Sequence, residues 1–415
     1  MSGFRFLTAG ESHGRGLTAI VEGVPAGLPL SEDGIARDLV RRQQGYGRGK
    51  RQQIERDRAE ITSGVRHGLS IGSPIALWIG NADHANANWA VRMAVDEVDD
   101  AVDPVTLLRP GHADLAGAQK YGLDDVRPIL ERASARETAA RVAVGAVARA
   151  LLAELGVTVH SHVRAIGTVQ WDAPAVVDWE AVERSPVRVA DTAVEAAMIA
   201  AIDAAKEAHD TLGGVFEVRA QGLPAGLGSH VQWDRRLDGR VAQAFLSINA
   251  VKGVEIGDGW AVAALPGSEA QDVILPSERW SDRLWQRASN RAGGLEGGMT
   301  NGEDLVVRAA IKPISTVPRR MPTADLHSGE EATSFYERSD ACVVPAAAVI
   351  GEAMLAIVLA GAALEKFGGD HVQELRRNAA AFAESVGPRH PRQRDDSEHA
   401  GPAATPTGAP EDPAE

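Results

Sequence analysis

The sequence predicts a mixed α/β protein in which β-sheets pack against helices. Two patterns in the sequence support this prediction. Short β-rich runs alternate with glycine turns in the first hundred residues, and longer helical stretches separated by further strands follow them. These strands and helices do not repeat as βα units of uniform length. Hydrophobic residues make up 44% of the 415 residues but aromatic residues only 4%, so small and aliphatic side chains must fill the core.

The first elements are short strands with one helix among them. We predict strands over residues 4–8, 17–21, 59–62, 74–79, 158–163, 214–220 and 305–311. Ser31 is a suitable capping residue for a helix that places Ile35, Leu39 and Val40 on one face. The first hundred residues therefore predict a sheet edge with a basic helix and loop beside it.

Longer helices are predicted farther along the chain. One covers 134–155, opens with the capping-box spacing of Ser134 to Glu137 and closes at Gly156; two more cover 192–207 and 237–251. The stretch 343–364 contains only Glu352 as a charge and is as long as a membrane span. We interpret it as a buried core helix, because alanine dominates it, a first-turn proline opens it and two glycines follow it.

Composition also indicates the extent of the domain and the cellular compartment. Residues 1–386 are predicted to form one catalytic domain, whereas 387–415 change to Pro, Ala, Asp, Glu and Arg and are predicted to be a disordered tail. The single cysteine, Cys342, suits a reducing compartment, and the first residues lack the apolar run of a signal peptide. We therefore expect a cytoplasmic protein without a membrane partner.

Two histidines set among glycines are the first candidates for catalysis. His13 lies in the segment 10–14 and His112 in the segment 109–114. Histidine titrates near physiological pH and serves readily as a general acid or base. Residues 37–67 carry nine Lys or Arg against four Asp or Glu, although the formal charge of the whole chain is -14. This local reversal of charge predicts proton chemistry on an anionic substrate.

An arginine and glycine loop lies between the two histidines. Arg42 and Arg48 belong to the segment 41–51, which has glycines at alternate positions 45, 47 and 49. Guanidinium groups form forked hydrogen bonds with phosphate or carboxylate. The alternative is a protein that binds RNA or another phosphate backbone through this loop, although the basic run is short and no nucleic-acid module is recognisable. A merely solvated charged face would not need the alternating glycines.

Other segments add candidates for anion binding. Arg132, Ser134 and Arg136 give a helix start positive charge in addition to its dipole. The glycine-rich segment 287–302 and the segment 312–316 at a strand end are further candidates, and Arg338-Ser339-Asp340 precedes the core helix. His160 and His162 alternate along one strand, but no matching Cys or carboxylate set accompanies them, so we predict structural roles and no metal site.

Taken together, these segments resemble the signatures of the chorismate synthase family in order and spacing. They are 10–14, 45–49, 109–114, 132–138, 291–302, 312–316 and 338–340, and the resemblance covers residues 4 to about 370. It implies an α/β fold of α+β type, with helices layered between antiparallel sheets, and a homotetramer. It also implies a reduced-FMN-dependent anti 1,4-elimination of phosphate from 5-enolpyruvylshikimate 3-phosphate, which gives chorismate in the shikimate pathway of aromatic amino acid biosynthesis.

The resemblance also implies a role for each matching residue. His13 would protonate the departing phosphate, His112 would lie near N1 of the flavin, and Asp340 would assist proton removal at flavin N5. The residues implied to hold the substrate anions, or NADP in a bifunctional form, are Arg42, Arg48, Arg136 and Arg338. Those implied to contact FMN are Arg132, Ala133, Ser134, Asn249, Ala250, Gly297, Lys312, Pro313, Ile314, Ser315, Thr316 and Arg338.

The chain departs from the family pattern at one place beside these residues. Leu107-Leu108 stands before Arg109 where the common family form has Arg-Pro. The resemblance leaves open whether NADPH reduces the flavin on the enzyme itself or a separate reductant does so. No nucleic-acid partner is implied.

Overall fold

Strands and helices alternate irregularly along the chain. The structure is a computed structural model that describes residues 3–49, 56–85, 87–98, 102–275, 285–335 and 340–386. The strands are β1 (Arg5–Ala9), β2 (Gly16–Glu22), β3 (Ala59–Ser63), β4 (Val65–Arg66), β5 (Leu69–Ser70), β6 (Ile75–Gly80), β7 (Thr158–Ile166), β8 (Val169–Gln170), β9 (Gly214–Gln221), β10 (Val251–Ile256), β11 (Leu295–Glu296), β12 (Met299–Thr300), β13 (Leu305–Ile311), β14 (Pro322–Ala324) and β15 (Glu331–Thr333). The helices are α1 (Glu32–Gln43), α2 (Ala87–Arg92), α3 (Asp114–Tyr121), α4 (Arg127–Arg132), α5 (Thr138–Ala153), α6 (Trp179–Arg184), α7 (Thr192–Glu207), α8 (Leu237–Leu246), α9 (Gly259–Val262), α10 (Gly267–Ala270), α11 (Val344–Phe367) and α12 (Val372–Ser385). The predicted tail, 387–415, lies outside the described residues.

Two antiparallel sheets form the outer layers. Within the described residues, the strand order is β1-β2-β6-β3 in the first sheet and β10-β13-β9-β7-β8 in the second. Helix α5 packs on the first sheet, α11 packs on the second, and the two helices pack on each other. The arrangement implied by the resemblance, with helices between antiparallel sheets, is confirmed.

Small residues allow the two central helices to pack closely. A Cβ atom added at Gly145 of α5 would lie 2.3 Å from Cβ of Ala353 in α11. One added at Gly351 would lie 2.7 Å from the ring of Phe216 in β9. By length and composition α11 is the one helix in the described ranges that suits a membrane span, but 89% of its apolar window is buried inside the protein. The prediction of a core helix is confirmed.

Several predicted boundaries agree with the structure and three features of the helices differ. Helix α7 covers 192–207 as predicted, but α8 ends at Leu246 and not at residue 251, because Ala250 takes a left-handed φ of 66° and β10 begins directly after it. The 134–155 helix begins as a 3-10 turn over Ala135–Glu137. The Ser134 hydroxyl accepts from the Arg136 backbone N–H, while Glu137 accepts from Thr8 instead of completing a capping box.

The inner face of α1 is also different from the prediction. Ser31 caps the helix through the backbone N–H of Gly34, and Ile35 and Leu39 are buried as predicted. Val40 is 47% exposed, and Arg42 is buried in its place. The prediction for Val40 was wrong because the inward-facing position at the end of α1 belongs to Arg42, whose guanidinium group has hydrogen-bond partners inside the protein. The buried end of α1 therefore carries a positive charge.

Candidate active site

A cavity of about 660 Å³ opens where the end of α1, the loop before α5 and the start of α11 converge. Its wall contains most of the side chains that the sequence singled out: His13, Arg42, Arg48, His112, Ala133, Ser134, Arg136, Asn249, Ala250, Lys312, Ile314, Ser315, Thr316 and Asp340. They come from element ends and loops spread over most of the chain. Folding therefore brings the separate sequence signatures to one place.

Three of the described residues that were predicted for the site are not part of this wall. The Arg132 guanidinium donates to Thr8 and to the carbonyl of Gly10. Pro313 lies between the lining residues Lys312 and Ile314 without lining the cavity itself. Gly297 occupies the turn between β11 and β12, outside the cavity wall, and Arg338 lies outside the described residues. Their ligand contacts stay predictions.

His13 is held by a carboxylate that the sequence did not reveal. Its Nδ1 lies 2.9 Å from Oε1 and 3.0 Å from Oε2 of Glu131, whose Oε2 also accepts from the His13 backbone N–H at 2.8 Å. The imidazole stacks on Trp89 with ring centroids 3.7 Å apart. Burial would raise the pKa of Glu131, but the hydrogen bonds and charge of His13, with Arg127, lower it below its usual value. Glu131 is therefore ionised beside the ring.

His112 has a similar partner. Its Nδ1 lies 2.5 Å from Oδ1 of Asp114, which also binds Arg109 through Nε at 2.9 Å and Nη2 at 3.1 Å. Burial opposes ionisation of Asp114, but His112 and Arg109 outweigh it and lower its pKa to about 2. Each histidine in the cavity wall is thus oriented through Nδ1 by a buried carboxylate.

The departure from the family pattern before Arg109 has a packing role. Leu108 is buried in a small apolar cluster with Val126, Ile129 and Leu130. Arg109 itself is engaged by Asp114 and lies 5.1 Å from the ring centroid of Phe335. The segment before His112 therefore supports the histidine and its carboxylate from behind.

Two buried arginines share one carboxylate at the inner end of the cavity. Asp57 accepts from Nη1 of Arg136 at 2.5 Å and from Nη1 of Arg42 at 3.4 Å. Burial, partly offset by Asp57, and the neighbouring charges of Arg48 and Arg136 lower the pKa of Arg42 to about 10. Such a shift indicates an excess of positive charge in a poorly solvated place, which an anionic ligand would relieve.

A second ion pair lies at the start of α11. Arg48 Nη1 donates to Oδ2 of Asp340 at 2.8 Å, and the backbone N–H of Gly49 donates to Oδ1 at 2.6 Å. The Nε atom of Arg48 is buried and has no hydrogen-bond partner in the described residues. Asp340 is therefore positioned by the arginine and glycine loop, with a donor of that loop still available.

Asn249 offers the cavity a buried acceptor atom. It donates through Nδ2 to the carbonyl of Ala133 at 2.9 Å, while its Oδ1 is buried and accepts no hydrogen bond within the described chain. Lys312, which also lines the cavity, donates to the carbonyl of Gly111 at 2.7 Å and to the Ser315 hydroxyl at 3.2 Å. Burial and the nearby Lys252 lower the pKa of Lys312. Asn249 Oδ1 can therefore accept a hydrogen bond from a bound polar molecule without breaking one that it already has.

The two histidines that we interpreted as structural are away from this cavity. His162 Nε2 lies 3.0 Å from Oε1 of Glu217 and the pair is fully buried, while His160 stacks on Trp179 at 4.9 Å. In the described ranges, no group of three or more His, Cys, Asp or Glu side chains is arranged to hold a metal ion.

The burial of Arg42 also bears on the RNA alternative. Its side chain hydrogen-bonds to Thr138 and the carbonyl of Ala135, inside the protein. Arg136 is equally buried. These guanidinium groups line an internal cavity instead of forming a surface that a long phosphate backbone could follow.

A cavity that joins carboxylate-oriented histidines to buried arginines defines an enzyme for acid–base chemistry on a small anion. The chorismate synthase family model matches residues 4–364. The chain therefore belongs to the chorismate synthase family, whose members are carbon–oxygen lyases that act on phosphates.

Named relatives agree with this assignment over nearly their whole length. The chorismate synthase of Moorella thermoacetica is 58% identical over 381 residues, which are 91% of this chain and 98% of the relative. That of Salinispora tropica is 54% identical over 393 residues, or 92% and 99% of the two chains. A crystal structure of a chorismate synthase superposes with a TM-score of 0.75 at 44% identity and covers 93% of this chain and 99% of that one.

Proposed function

We propose that this protein eliminates phosphate from 5-enolpyruvylshikimate 3-phosphate in the anti 1,4 sense and gives chorismate, in the cytoplasm, through one catalytic domain over residues 1–386. The observation that carries this proposal is the convergence of His13, His112 and the buried arginines on one cavity. The substrate has a phosphate and two carboxylates, which match the three guanidinium groups of Arg42, Arg48 and Arg136 in the cavity wall. An acidic chain needs such a local cluster of positive charge to bind a ligand with three anionic groups.

Different side chains of the protein have different roles in the reaction. Arg42, Arg48 and Arg136 bind the anionic groups, and His13 gives the departing phosphate the proton on Nε2, since Nδ1 faces Glu131. Asp340, held in place by Arg48 and the backbone of residue 49, would assist proton removal at flavin N5. Burial of the cavity excludes water and strengthens each of these charge interactions.

Asn249 Oδ1 and the other polar groups of its wall fit the edge of a flavin. FMN would be held by Ala133, Ser134, Asn249, Ala250, Lys312, Ile314, Ser315 and Thr316, which line the cavity, with Pro313, Gly297, Arg132 and Arg338 as the remaining predicted contacts. Bound reduced FMN would supply transient electron density for the departure of the phosphate, with no net redox change. His112 would stabilise negative charge at the N1 edge, and its link to Asp114 fixes the ring for that task.

The direct test supplies the purified protein with reduced FMN and substrate under anaerobic conditions. We expect inorganic phosphate and chorismate in equal amounts. Lack of phosphate release would contradict the proposal. Repeating the assay in air with NADPH and oxidised FMN shows whether the protein reduces its own flavin, and turnover only with a separate reductant would exclude that activity.

Asn249→Ala is expected to weaken binding of reduced FMN by about 10-fold, because one buried hydrogen bond to a polar ring atom is worth about 1.4 kcal/mol or less. The change in the flavin spectrum on titration with protein measures the affinity. Asn378→Ala is a matched control, since that amide bonds the carbonyl of Phe367 and does not line the cavity. Equal affinities in both variants would remove Asn249 from the flavin site.

We also propose the homotetramer that the resemblance implies. The outer face of the first sheet supports it. Leu7 is 60% exposed and faces its cross-strand neighbour Ile20, which is 44% exposed. An apolar sheet face of this kind is typical of surfaces that are covered by another subunit.

A further inference from the structure

We propose that Glu131 is a positioning residue for His13, whose imidazole it holds in one orientation beneath the indole of Trp89. The inference rests on the proposed function in one respect only, namely that His13 acts as an acid. It concerns groups that the sequence signatures do not assign, and it is based on the geometry around one imidazole ring.

The first step is the orientation of the ring. Glu131 contacts His13 twice, through Nδ1 at 2.9 Å and through the backbone N–H at 2.8 Å. The carboxylate is 1% exposed, so its preference for a donor is not satisfied by bulk water. The bond to the ring places a proton on Nδ1 and the bond from the backbone keeps the carboxylate beside it, which leaves Nε2 as the atom that can give a proton to a ligand.

The second step is the charge around the ring. Asp83, from the 3-10 turn over Ala82–Ala85, places Oδ2 4.0 Å from Nε2 of His13, so a carboxylate faces each nitrogen. His84 of the same turn bonds the backbone carbonyl of His13 at 3.0 Å. Arg127 partly offsets the acidic groups, since its Nη1 lies 3.3 Å from Oε1 of Glu131. A carboxylate on each side of the ring therefore restricts the imidazole to one orientation, with Nδ1 toward Glu131 and Nε2 toward Asp83.

The third step is the cover above the ring. Trp89 of α2 stacks on the imidazole with an interplanar angle of 11°, and Arg127 and Arg92 lie 5.3 Å and 5.6 Å from its ring centroid. The indole shields one face of His13 from water and restricts rotation of the ring. The stack also gives His13 a spectroscopic reporter, because an imidazolium quenches indole emission more strongly than a neutral imidazole.

The experiment begins with Glu131→Gln, which keeps the size of the side chain and removes its charge. Without the carboxylate the ring can rotate away from the departing phosphate, while the groups that bind the substrate stay in place. We expect kcat to fall by about 10-fold or more and KM to change by less than about 3-fold.

Glu217→Gln is the matched control, since it breaks the other buried glutamate–histidine pair, with His162, outside the cavity. It should lower thermal stability and leave kcat within about 2-fold of the wild type. Glu131→Gln added to His13→Ala should cause no further loss of kcat, because a positioning residue acts through its partner. An unchanged kcat in Glu131→Gln, or losses that multiply in the double variant, would overturn the proposal.

A second readout does not need turnover. The emission of Trp89, taken as the difference between the wild type and Trp89→Phe, reports the stack of the indole on His13, and Glu131→Gln should change it in the same direction as His13→Ala does. If the wild type releases no phosphate, the proposed function fails while this measurement still tests the pairing. If Glu131→Gln does not fold, Glu131→Asp serves instead, since the shorter side chain withdraws the carboxylate from Nδ1; emission that stays at the wild-type value contradicts the inference.

Discussion

His13→Ala is expected to lower turnover by about 10–10⁴-fold, as the loss of a general acid commonly does. The imidazole lines the cavity and Glu131 holds it through Nδ1, so its removal leaves the departing phosphate without its proposed proton donor. Phosphate release under anaerobic conditions with reduced FMN measures the effect. His112→Ala should reduce turnover within the same range, because its ring is fixed toward the same cavity by Asp114.

The control for these variants is His160→Ala. That side chain stacks on Trp179 and does not line the cavity, so its removal affects packing alone. We expect its turnover to remain within about 2-fold of the wild type, since surface or peripheral changes seldom alter transition-state binding. Unchanged turnover in both His13→Ala and His112→Ala would withdraw the roles assigned to them.

Elements with strong local signals could be predicted from the sequence. The cap at Ser31, the proline at the start of α11 and the periodicity of α7 each specify a structure within a few residues. The end of α8 could not be predicted this way, because Ala250 adopts a left-handed φ that its side chain does not signal. Val40 was assigned to the wrong face because the partners that bury Arg42 come from distant residues.

The residues of the candidate site also divide into those that the sequence reveals and those that it does not. The glycine-framed histidines and the clustered arginines are visible as motifs, and most of them line the cavity. Glu131 carries no such mark, since it lies 118 positions from His13 and is paired with it only by the fold. Asp114 stands inside the motif of His112, where a carboxylate two residues from a histidine was a signal that could have been used. Long-range pairs of this kind need the structure.

Glu352→Gln is expected to lower the free energy of unfolding by about 3–5 kcal/mol, as the loss of one partner from a buried ionic cluster does. Glu352 is fully buried in α11 and accepts hydrogen bonds from Arg41 at 2.8 Å, Arg149 at 2.6 Å and Ser161 at 2.6 Å. A neutral amide would leave the guanidinium groups without their shared anion. Arg41 directly precedes Arg42, so this cluster also anchors the helix end that carries a cavity arginine.

The same cluster predicts a dependence of stability on pH. Burial opposes ionisation of Glu352, but its arginine partners, Arg41 above all, outweigh it and lower its pKa from 4.5 to about 2. A carboxyl whose pKa is depressed in the folded state stabilises the fold above its unfolded pKa and loses that contribution as pH falls. The wild type should therefore lose stability between pH 4.5 and pH 2, and Glu352→Gln should lose less over that range. Urea unfolding at fixed protein concentration measures both effects.

Glu180→Gln is the control, because it removes an exposed partner of Arg184 at 3.7 Å. It should change the free energy of unfolding by about 1 kcal/mol or less. An equally small effect of Glu352→Gln would show that the buried cluster contributes nothing beyond a surface pair.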